Sequence, residues 1–308
     1  MLDVHHIVCD RHSIRLLIED LKNLLNGMEL APSEVSYVDF SAWQRNLLNN
    51  EKALVQFWMN QGLEEVPRIT FSGDPSYALD QQVITRTLQI KNEGYVRATE
   101  LMKEWEVSPF MFFLTVQYIL INQIAGNEEI IIGTDVLGRN HRNLDRIVGT
   151  FVNILPLKVS LDASDPVESV VHQVRESVLG CFDHQDIQFD EIVKLAGAGG
   201  TNTDKLVQVH FAFTEYEEEI LNGVEAGGIR MRPIKLPVEP TTQYEFKIDG
   251  VDLGNAFELE FFFDPSVFGV ADSEILYEYY ERILNAILFA DARQVADTMM
   301  ITEKLVSV

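Results

Sequence analysis

The segment Glu129–Val136 constrains the fold most, because it is a largely apolar run with the length of a β-strand. A strand that is apolar on both faces belongs to a sheet that other layers cover on both sides. Thr150–Leu161 has the same character, and residues 167–182 return to the spacing of a helix. Strands that alternate with helices in this way predict a mixed α/β architecture.

The rest of the chain divides into segments of strand and helix periodicity. One helix is predicted to begin at Ser108-Pro109, an N-cap followed by proline in the first turn. Both patterns stop around Gly73 and Pro75, which predicts a boundary between a lobe of residues 1–70 and a lobe of residues 71–308. The predicted strands are 2–8, 83–90, 129–136, 150–161, 206–214 and 256–263, and the predicted helices are 14–25, 37–60, 93–106, a segment from 108, 167–182 and 272–289.

The charge balance argues against some classes of partner. Asp and Glu number 48 against 24 Lys and Arg, and the net charge of −24 would repel a nucleic-acid backbone and an anionic membrane surface. The most apolar stretch, residues 110–121, is too short for a membrane span, and no signal peptide is recognisable. Cys9 and Cys181 have no metal-site or disulfide spacing. We therefore expect a cytoplasmic setting, with neither nucleic acid nor a membrane as partner.

The densest polar cluster consists of His5, His6, Asp10 and His12, which lie within eight residues of one another. Adjacent residues on a strand point to opposite faces, so only one of His5 and His6 can face a given cleft. A histidine is suited to remove a proton from an amine near neutral pH, and Asp10 could orient it or hold the loop. Taken alone, such a cluster near a strand end is more often structural than catalytic. A zinc site is disfavoured, because the chain has no second ligand cluster with suitable spacing.

The sequence HHIVCDRHS at 5–13 resembles the HHxxxDG signature of nonribosomal peptide synthetase condensation domains, which belong to the chloramphenicol acetyltransferase-like superfamily. Further blocks resemble the family's motifs in the expected order. They are YVDFSAWQ at 37–44, IGTDVLGRNHRNLDRIVGTFVNILPLK at 132–158, HQDIQFDEIV at 184–193 and LVQVHFAF at 206–213. The resemblance implies the two-lobed, mixed-sheet α/β fold of that superfamily.

The resemblance also implies roles for individual residues. His6 matches the second histidine of the motif, at the reaction centre, and His5 matches the first, which is structural. Asp10 matches the motif aspartate, which in the family an arginine holds; here that arginine is Arg139. We expect a bidentate pair between Asp10 and Arg139 that locks the loop carrying His6 across the lobe boundary.

The sequence departs from the family pattern in two places. Arg11 stands where the motif has glycine, and it would be strained if the backbone required a positive φ there. Most of an N-terminal lobe precedes the motif in the family, whereas four residues precede His5 here. We therefore expect an incomplete N-terminal lobe and little or no condensation activity from this chain alone.

The function that the resemblance implies is amide formation between a donor acyl or peptidyl thioester and an acceptor aminoacyl thioester. Both would arrive on phosphopantetheine arms of upstream and downstream peptidyl carrier proteins, with an adenylation domain adjacent. No metal, redox group or covalently bound cofactor is expected on this chain. Two alternatives stay open: an epimerisation domain of the same superfamily, and a catalytically inactive docking or scaffold fragment.

Overall fold

A computed structural model of the chain describes residues 4–30, 32, 34–71, 82–197, 206–215, 224–231, 241–290 and 292–300. The strands are β1 (Ile84–Lys91), β2 (Glu129–Val136), β3 (Asn153–Ser160), β4 (Val209–Glu215), β5 (Val224–Ala226), β6 (Ile229–Met231), β7 (Phe246–Asp252) and β8 (Ala256–Phe263). The helices are α1 (Arg11–Leu25), α2 (Tyr37–Asn50), α3 (Lys52–Met59), α4 (Glu93–Glu104), α5 (Pro109–Ala125), α6 (Val167–Asp183), α7 (Phe189–Leu195), α8 (Val270–Phe289) and α9 (Val295–Met300). Short 3-10 turns span His6–Val8, Leu63–Glu65 and Arg142–Leu144.

Six of the strands form one mixed sheet in the order β1-β8-β7-β4-β2-β3. The three central strands β7, β4 and β2 run parallel to one another, and each remaining pair of neighbours is antiparallel. β5 and β6 pair with each other in a separate hairpin. The predicted mixed α/β class is therefore confirmed.

One face of this sheet is apolar and lies in the core. Alternate residues on the central strands point to it, and these side chains are fully buried: Ile130, Ile132, Val209, Phe211, Phe246 and Ile248. α5 packs against β2 and β4 on this side, and also against α6 and α8. Because α5 is surrounded by these elements, every residue from 112 to 121 is buried, and the helix has no polar face.

The ends of α5 follow from its sequence. Ser108 caps the first turn through its side chain, and Pro109 occupies the first helical position, where its missing N–H costs no helix hydrogen bond. Gly126 ends the helix in the left-handed conformation at φ 66°. Within the described ranges, no single helix has the length and apolar composition of a membrane span; α4 and α5 meet that test only as a pair, and they are bent by 99°.

The opposite face of the central strands carries polar and small residues. Gly133 pairs with His210, and His210 pairs with Lys247, so these three residues form one row across β2, β4 and β7. The positions two residues further along each strand carry Asp135, Ala212 and Asp249. We call these six residues the polar face.

The predicted first strand, residues 2–8, is wrong in the part that the structure describes. His6–Val8 form a 3-10 turn, in which the His5 Nδ1 atom accepts a hydrogen bond from the Ile7 N–H at 3.1 Å. The N–H groups of Val8 and Cys9 donate to the carbonyls of His5 and His6. These local bonds satisfy the backbone without a neighbouring strand, so the β-branched residues here do not decide the conformation.

The elements around the sheet differ from the predictions in a few further respects. The single helix predicted over 37–60 is two helices, because the chain leaves helical geometry at Glu51 (φ −108°, ψ 71°). β7 and α7 were missed. The Asp249-Gly250 pair inside β7 is typical of a turn, and α7 is too short to show helical periodicity. Residues 72–81, beside the predicted lobe boundary, lie outside the described residues, so the division at 70/71 stays a prediction.

Candidate active site

Asp10 joins two segments that are far apart in sequence. It caps α1 by accepting a hydrogen bond on Oδ1 from the Ser13 N–H at 2.7 Å. Its Oδ2 accepts from the Phe151 N–H at 3.0 Å, and its own N–H donates to the Gly149 carbonyl at 3.2 Å. The start of α1 is thereby fixed to the loop that precedes β3.

Arg139 completes this network from the loop after β2. Its Nη2 atom lies 3.1 and 3.2 Å from the two carboxylate oxygens of Asp10 and 2.9 Å from the Ser13 hydroxyl. Its Nη1 atom donates to the carbonyls of Leu144 at 2.6 Å and Ile147 at 2.8 Å. The ion pair expected between Asp10 and Arg139 is present, but one nitrogen bridges both oxygens; the two-nitrogen fork that we expected is not formed, because Nη1 holds the loop carbonyls.

The ion pair of Asp10 and Arg139 is largely shielded from solvent. Asp10 and Arg139 are 4% and 9% exposed, and the guanidinium lies over the Phe151 ring at 4.0 Å from its centroid. Burial raises the pKa of Asp10, but the hydrogen bonds from Phe151 and Ser13 and the charge of Arg139 outweigh it and hold that pKa below the ordinary value. The carboxylate is therefore stable as an anion in this site.

The histidines of the motif lie at the surface beside this network. His6 is exposed, and its carbonyl accepts a hydrogen bond from the Thr150 hydroxyl, while its imidazole makes no hydrogen bond to another described residue. The argument from strand alternation does not apply, because His6 belongs to a 3-10 turn. His5 acts structurally within that turn, and His12 Nε2 lies 2.9 Å from the Asp145 carbonyl oxygen.

The predicted strain at Arg11 does not arise. Arg11 is the first residue of α1, so its backbone is helical and the glycine of the family motif is not required for φ at this position. The N-cap residue before it, Asp10, has φ −90°. The departure from the motif therefore leaves the geometry of the turn intact.

The remaining motif blocks meet around the same loop. The Tyr37 hydroxyl donates to the Thr150 carbonyl at 2.7 Å, and its ring packs edge-on against Phe151 at 5.1 Å between centroids. Asn153 donates from Nδ2 to the carbonyls of Gln185 and Ile187 at 3.0 and 2.7 Å. A small apolar cluster, separate from the main core, fills the space under Arg139: Phe40, Leu144, Ile147 and Phe151.

A second polar contact lies on the polar face and was not predicted. Asp135 Oδ1 is 3.2 Å from Nε2 of His210, whose side chain is fully buried and stacks on the Tyr244 ring at 4.3 Å between centroids. Burial raises the pKa of Asp135, but the adjacent His210, followed by the charges of Lys247 and His6, lowers it below the ordinary value. His6 therefore lies within electrostatic reach of Asp135.

The signal for this contact was present in the sequence. His210 interrupts the apolar positions of LVQVHFAF, and Asp135 interrupts the run of β2. A polar residue inside a buried strand needs a polar neighbour, and these two residues lie next to each other across β2 and β4. In the described part of the chain, no group of three His, Cys, Asp or Glu side chains is arranged to hold a metal ion.

Comparison with known proteins identifies the family. The family model described as Condensation domain matches residues 1–305. The chain belongs to the condensation domain family. The resemblance on which the sequence analysis relied is thereby confirmed.

Curated relatives of this condensation domain are much longer proteins. Tyrocidine synthase 3 of Brevibacillus parabrevis is 27% identical over 98% of this chain and 5% of its own length. Gramicidin S synthase 2 of Aneurinibacillus migulanus is 24% identical over 99% of this chain and 7% of its own length. The condensation domain thus spans less than a tenth of the length of these relatives.

Solved structures show the same fold. The X-domain from teicoplanin biosynthesis superposes with a TM-score of 0.82 at 19% identity, over 96% of this chain and 70% of that one. The first condensation domain of the calcium-dependent antibiotic synthetase has a TM-score of 0.71 at 17% identity, over 95% of this chain and 65% of that one. At these identities the likeness concerns the fold alone, and it confirms the predicted mixed-sheet fold of the family.

Proposed function

We propose that this condensation domain joins a donor acyl or peptidyl thioester to an acceptor aminoacyl thioester. The acceptor amine attacks the thioester carbonyl, a C–N bond forms as the C–S bond breaks, and the sulfur leaves as a thiol. The observation that carries the proposal is the buried Asp10–Arg139–Ser13 network, which fixes the turn that presents His6. Fixing the backbone of this turn limits the positions from which the His6 side chain can reach a substrate.

His6 is the residue proposed at the reaction centre. Its exposed imidazole has no competing hydrogen bond among the described residues, so it is free to accept a proton from the attacking amine or to orient that amine. His5 shapes the turn, and Asp10 with Arg139 holds it. The roles of these four residues are proposals that the geometry supports.

The substrates and partners follow from the same proposal. Donor and acceptor would be held on the phosphopantetheine arms of upstream and downstream peptidyl carrier proteins, with an adenylation domain next to this one. The relatives named above are called synthases of tyrocidine and gramicidin S, which agrees with a place in a multidomain synthetase. Cys9 and Cys181 are both buried free thiols, which agrees with the proposed reducing, cytoplasmic setting.

The test of the proposed function is His6→Ala in the full-length protein that contains this chain, supplied with donor- and acceptor-loaded carrier proteins. We expect the rate of amide formation, measured by mass spectrometry, to fall by at least about a hundredfold. This is the lower end of the range for loss of a general base. His12→Ala is the matched control, because His12 is another histidine of the same segment and its Nε2 atom contacts the Asp145 carbonyl rather than the proposed reaction centre. It should retain the wild-type rate.

The outcome also separates the alternatives. Undiminished turnover in His6→Ala would overturn the role of His6. Inversion of the donor α-carbon by the wild type, without amide, would indicate an epimerisation domain. Binding of carrier proteins with neither reaction would indicate a docking module.

A further inference from the structure

In the described part of the chain, one carboxylate of the polar face, Asp135, has no lysine or arginine in direct contact. Lys247 Nζ lies 2.8 Å from Asp249 Oδ2, so these two residues compensate each other. Asp135 forms an ion-pair contact only with His210 among the described residues. Its side chain is 45% exposed, so a ligand can reach the carboxylate.

His210 lies directly beside the Asp135 carboxylate. The imidazole is fully buried and stacked on Tyr244, and its Nε2 atom lies 3.2 Å from Asp135 Oδ1. Among the described residues, neither ring nitrogen makes a hydrogen bond of good geometry. The buried ring limits the positions that the carboxylate can take up on that side.

Asp135 and His6 lie at the same edge of the sheet. Asp135 precedes Val136, which pairs with Asn153 at the start of β3, and the His6 carbonyl is bonded to Thr150 just before that strand. The proposed proton acceptor therefore lies near Asp135, close enough for its charge to lower the pKa of that carboxyl group.

We propose that Asp135, which lies against the buried His210 ring, recognises the ammonium group of the acceptor and makes this domain selective for acceptors with a free, protonated amine. The inference rests on the proposed function. An α-amino group has an ordinary pKa of about 8, so most of it carries a positive charge near pH 7. An ion pair with a fixed carboxylate would both bind this group and orient its nitrogen.

The sequence of proton transfers balances. The ammonium, held by Asp135, gives one proton to His6 and becomes a nucleophilic amine. The nitrogen lone pair forms the C–N bond as the C–S bond breaks. The second proton of the amine leaves with the thiolate as a thiol, and His6 releases its proton to solvent.

The test compares two probes, glycyl-pantetheine amide and its N-acetylated analogue, which lacks the ammonium group, each titrated into the full-length protein by NMR. We expect Asp135→Asn to weaken binding of the amine probe by about tenfold or more, because the substitution removes a charged hydrogen bond between the carboxylate and the ammonium group. Binding of the acetylated probe should be unchanged. Asp135→Glu should retain the preference for the amine.

Asp249→Asn is the matched control, because it removes the same charge from the same face while Asp249 is already paired with Lys247. It should leave the preference for the amine probe unchanged, which excludes a general effect of the acidic surface. In the condensation assay, Asp135→Asn should raise the KM for the acceptor about tenfold, in line with the same lost bond, and leave the KM for the donor unaltered.

Two results would overturn the inference: an unchanged preference in Asp135→Asn, or an equal loss in Asp249→Asn. Failure of the proposed function is a different result, namely the absence of amide from the wild type with any loaded pair. The probe titration measures charge recognition even in that case.

Discussion

The Asp10 side chain shows how one residue can organise a site. Its two oxygens accept hydrogen bonds from the Ser13 amide in the first turn of α1, from the Phe151 amide and from the guanidinium of Arg139, which is 129 positions away. Backbone donors and a side-chain cation thus meet on one buried carboxylate. The loop before β3 and the helix after His6 cannot move independently while these bonds are intact.

We predict that breaking this ion pair from one side strongly destabilises the domain. Arg139→Ala leaves the Asp10 carboxylate buried without its cation, and the free energy of unfolding should fall by about 3–5 kcal/mol. Asp10→Asn should also destabilise, and the double variant should lose less than the sum of the two. Urea denaturation measures all three.

Arg146→Ala is the control for this prediction. Arg146 also bridges to α1, through Glu19 and Asp20, but its side chain is 50% exposed. Its loss should change the free energy of unfolding by less than about 1 kcal/mol. Equal effects of Arg146→Ala and Arg139→Ala would contradict the importance assigned to burial.

A pH dependence follows from the lowered pKa of Asp10. The folded-state pKa lies below that of the unfolded chain, about 3.9, so the contribution of Asp10 is fully present above the unfolded value and is lost as the pH falls through the folded one. Between about pH 5 and pH 3, wild type should therefore lose more stability than Asp10→Asn. A constant difference between the two proteins over this range, measured by thermal unfolding, would refute the prediction.

At the scale of elements, the loop after β2 depends on Gly138. Its φ is 61°, and an added Cβ atom would lie 2.0 Å from the Phe151 carbonyl oxygen. Alanine at this position would meet both an unfavourable backbone conformation and a backbone clash. The loop would have to shift, and Arg139 would shift with it.

We predict that Gly138→Ala destabilises far more than Gly27→Ala. Gly27 also has a positive φ, 76°, but nothing lies within 4 Å of the added Cβ. Gly27→Ala should therefore cost only the backbone strain, about 1–2 kcal/mol. Urea denaturation of the two variants measures the difference, which is the contribution of the close approach to Phe151. Similar losses in both variants would show that the loop adapts.

The limits of helices and strands were predicted correctly where the hydrophobic pattern of the sequence matches the burial of the element. The predicted limits of β2 and β8 match the structure, and α5 begins at the predicted cap, because apolar runs and capping residues are local signals. The first predicted strand failed, since side-chain and backbone hydrogen bonds within four residues of His5 favour a 3-10 turn. Local periodicity does not record such bonds.

Of the two main side-chain contacts of the candidate site, only one was predicted. The contact between Asp10 and Arg139 followed from the family resemblance, which relates blocks that are distant in sequence. The contact between Asp135 and His210 was missed because it depends on β2 and β4 being parallel neighbours, with Gly133 opposite His210. Strand order in the sheet results from packing of the whole chain, and no local pattern specifies it.

For the molecule as a whole, the net charge of −24 gives a prediction about salt. Like charges repel one another in the folded state, and salt screens this repulsion. The Tm should therefore rise when NaCl increases from about 0.02 M to 0.5 M, where the Debye length falls to a few ångströms. A Tm that stays constant or falls would indicate that local ion pairs outweigh the repulsion.

The sheet has one short junction. β2 and β4 are joined at two paired positions, Ile132 with Val209 and Gly133 with His210, whereas β2 pairs with β3 over eight positions. In mechanical terms, the sheet consists of two rigid parts, or plates, that share only this short junction. One plate is β2 with β3 and carries Asp135, and the other is β4 with β7, β8 and β1 and carries His210. A small rotation of the plates changes the separation of these two side chains before it breaks the longer ladders. The relative orientation of the two plates and the position of the Asp135 carboxylate are therefore linked through a single side-chain contact.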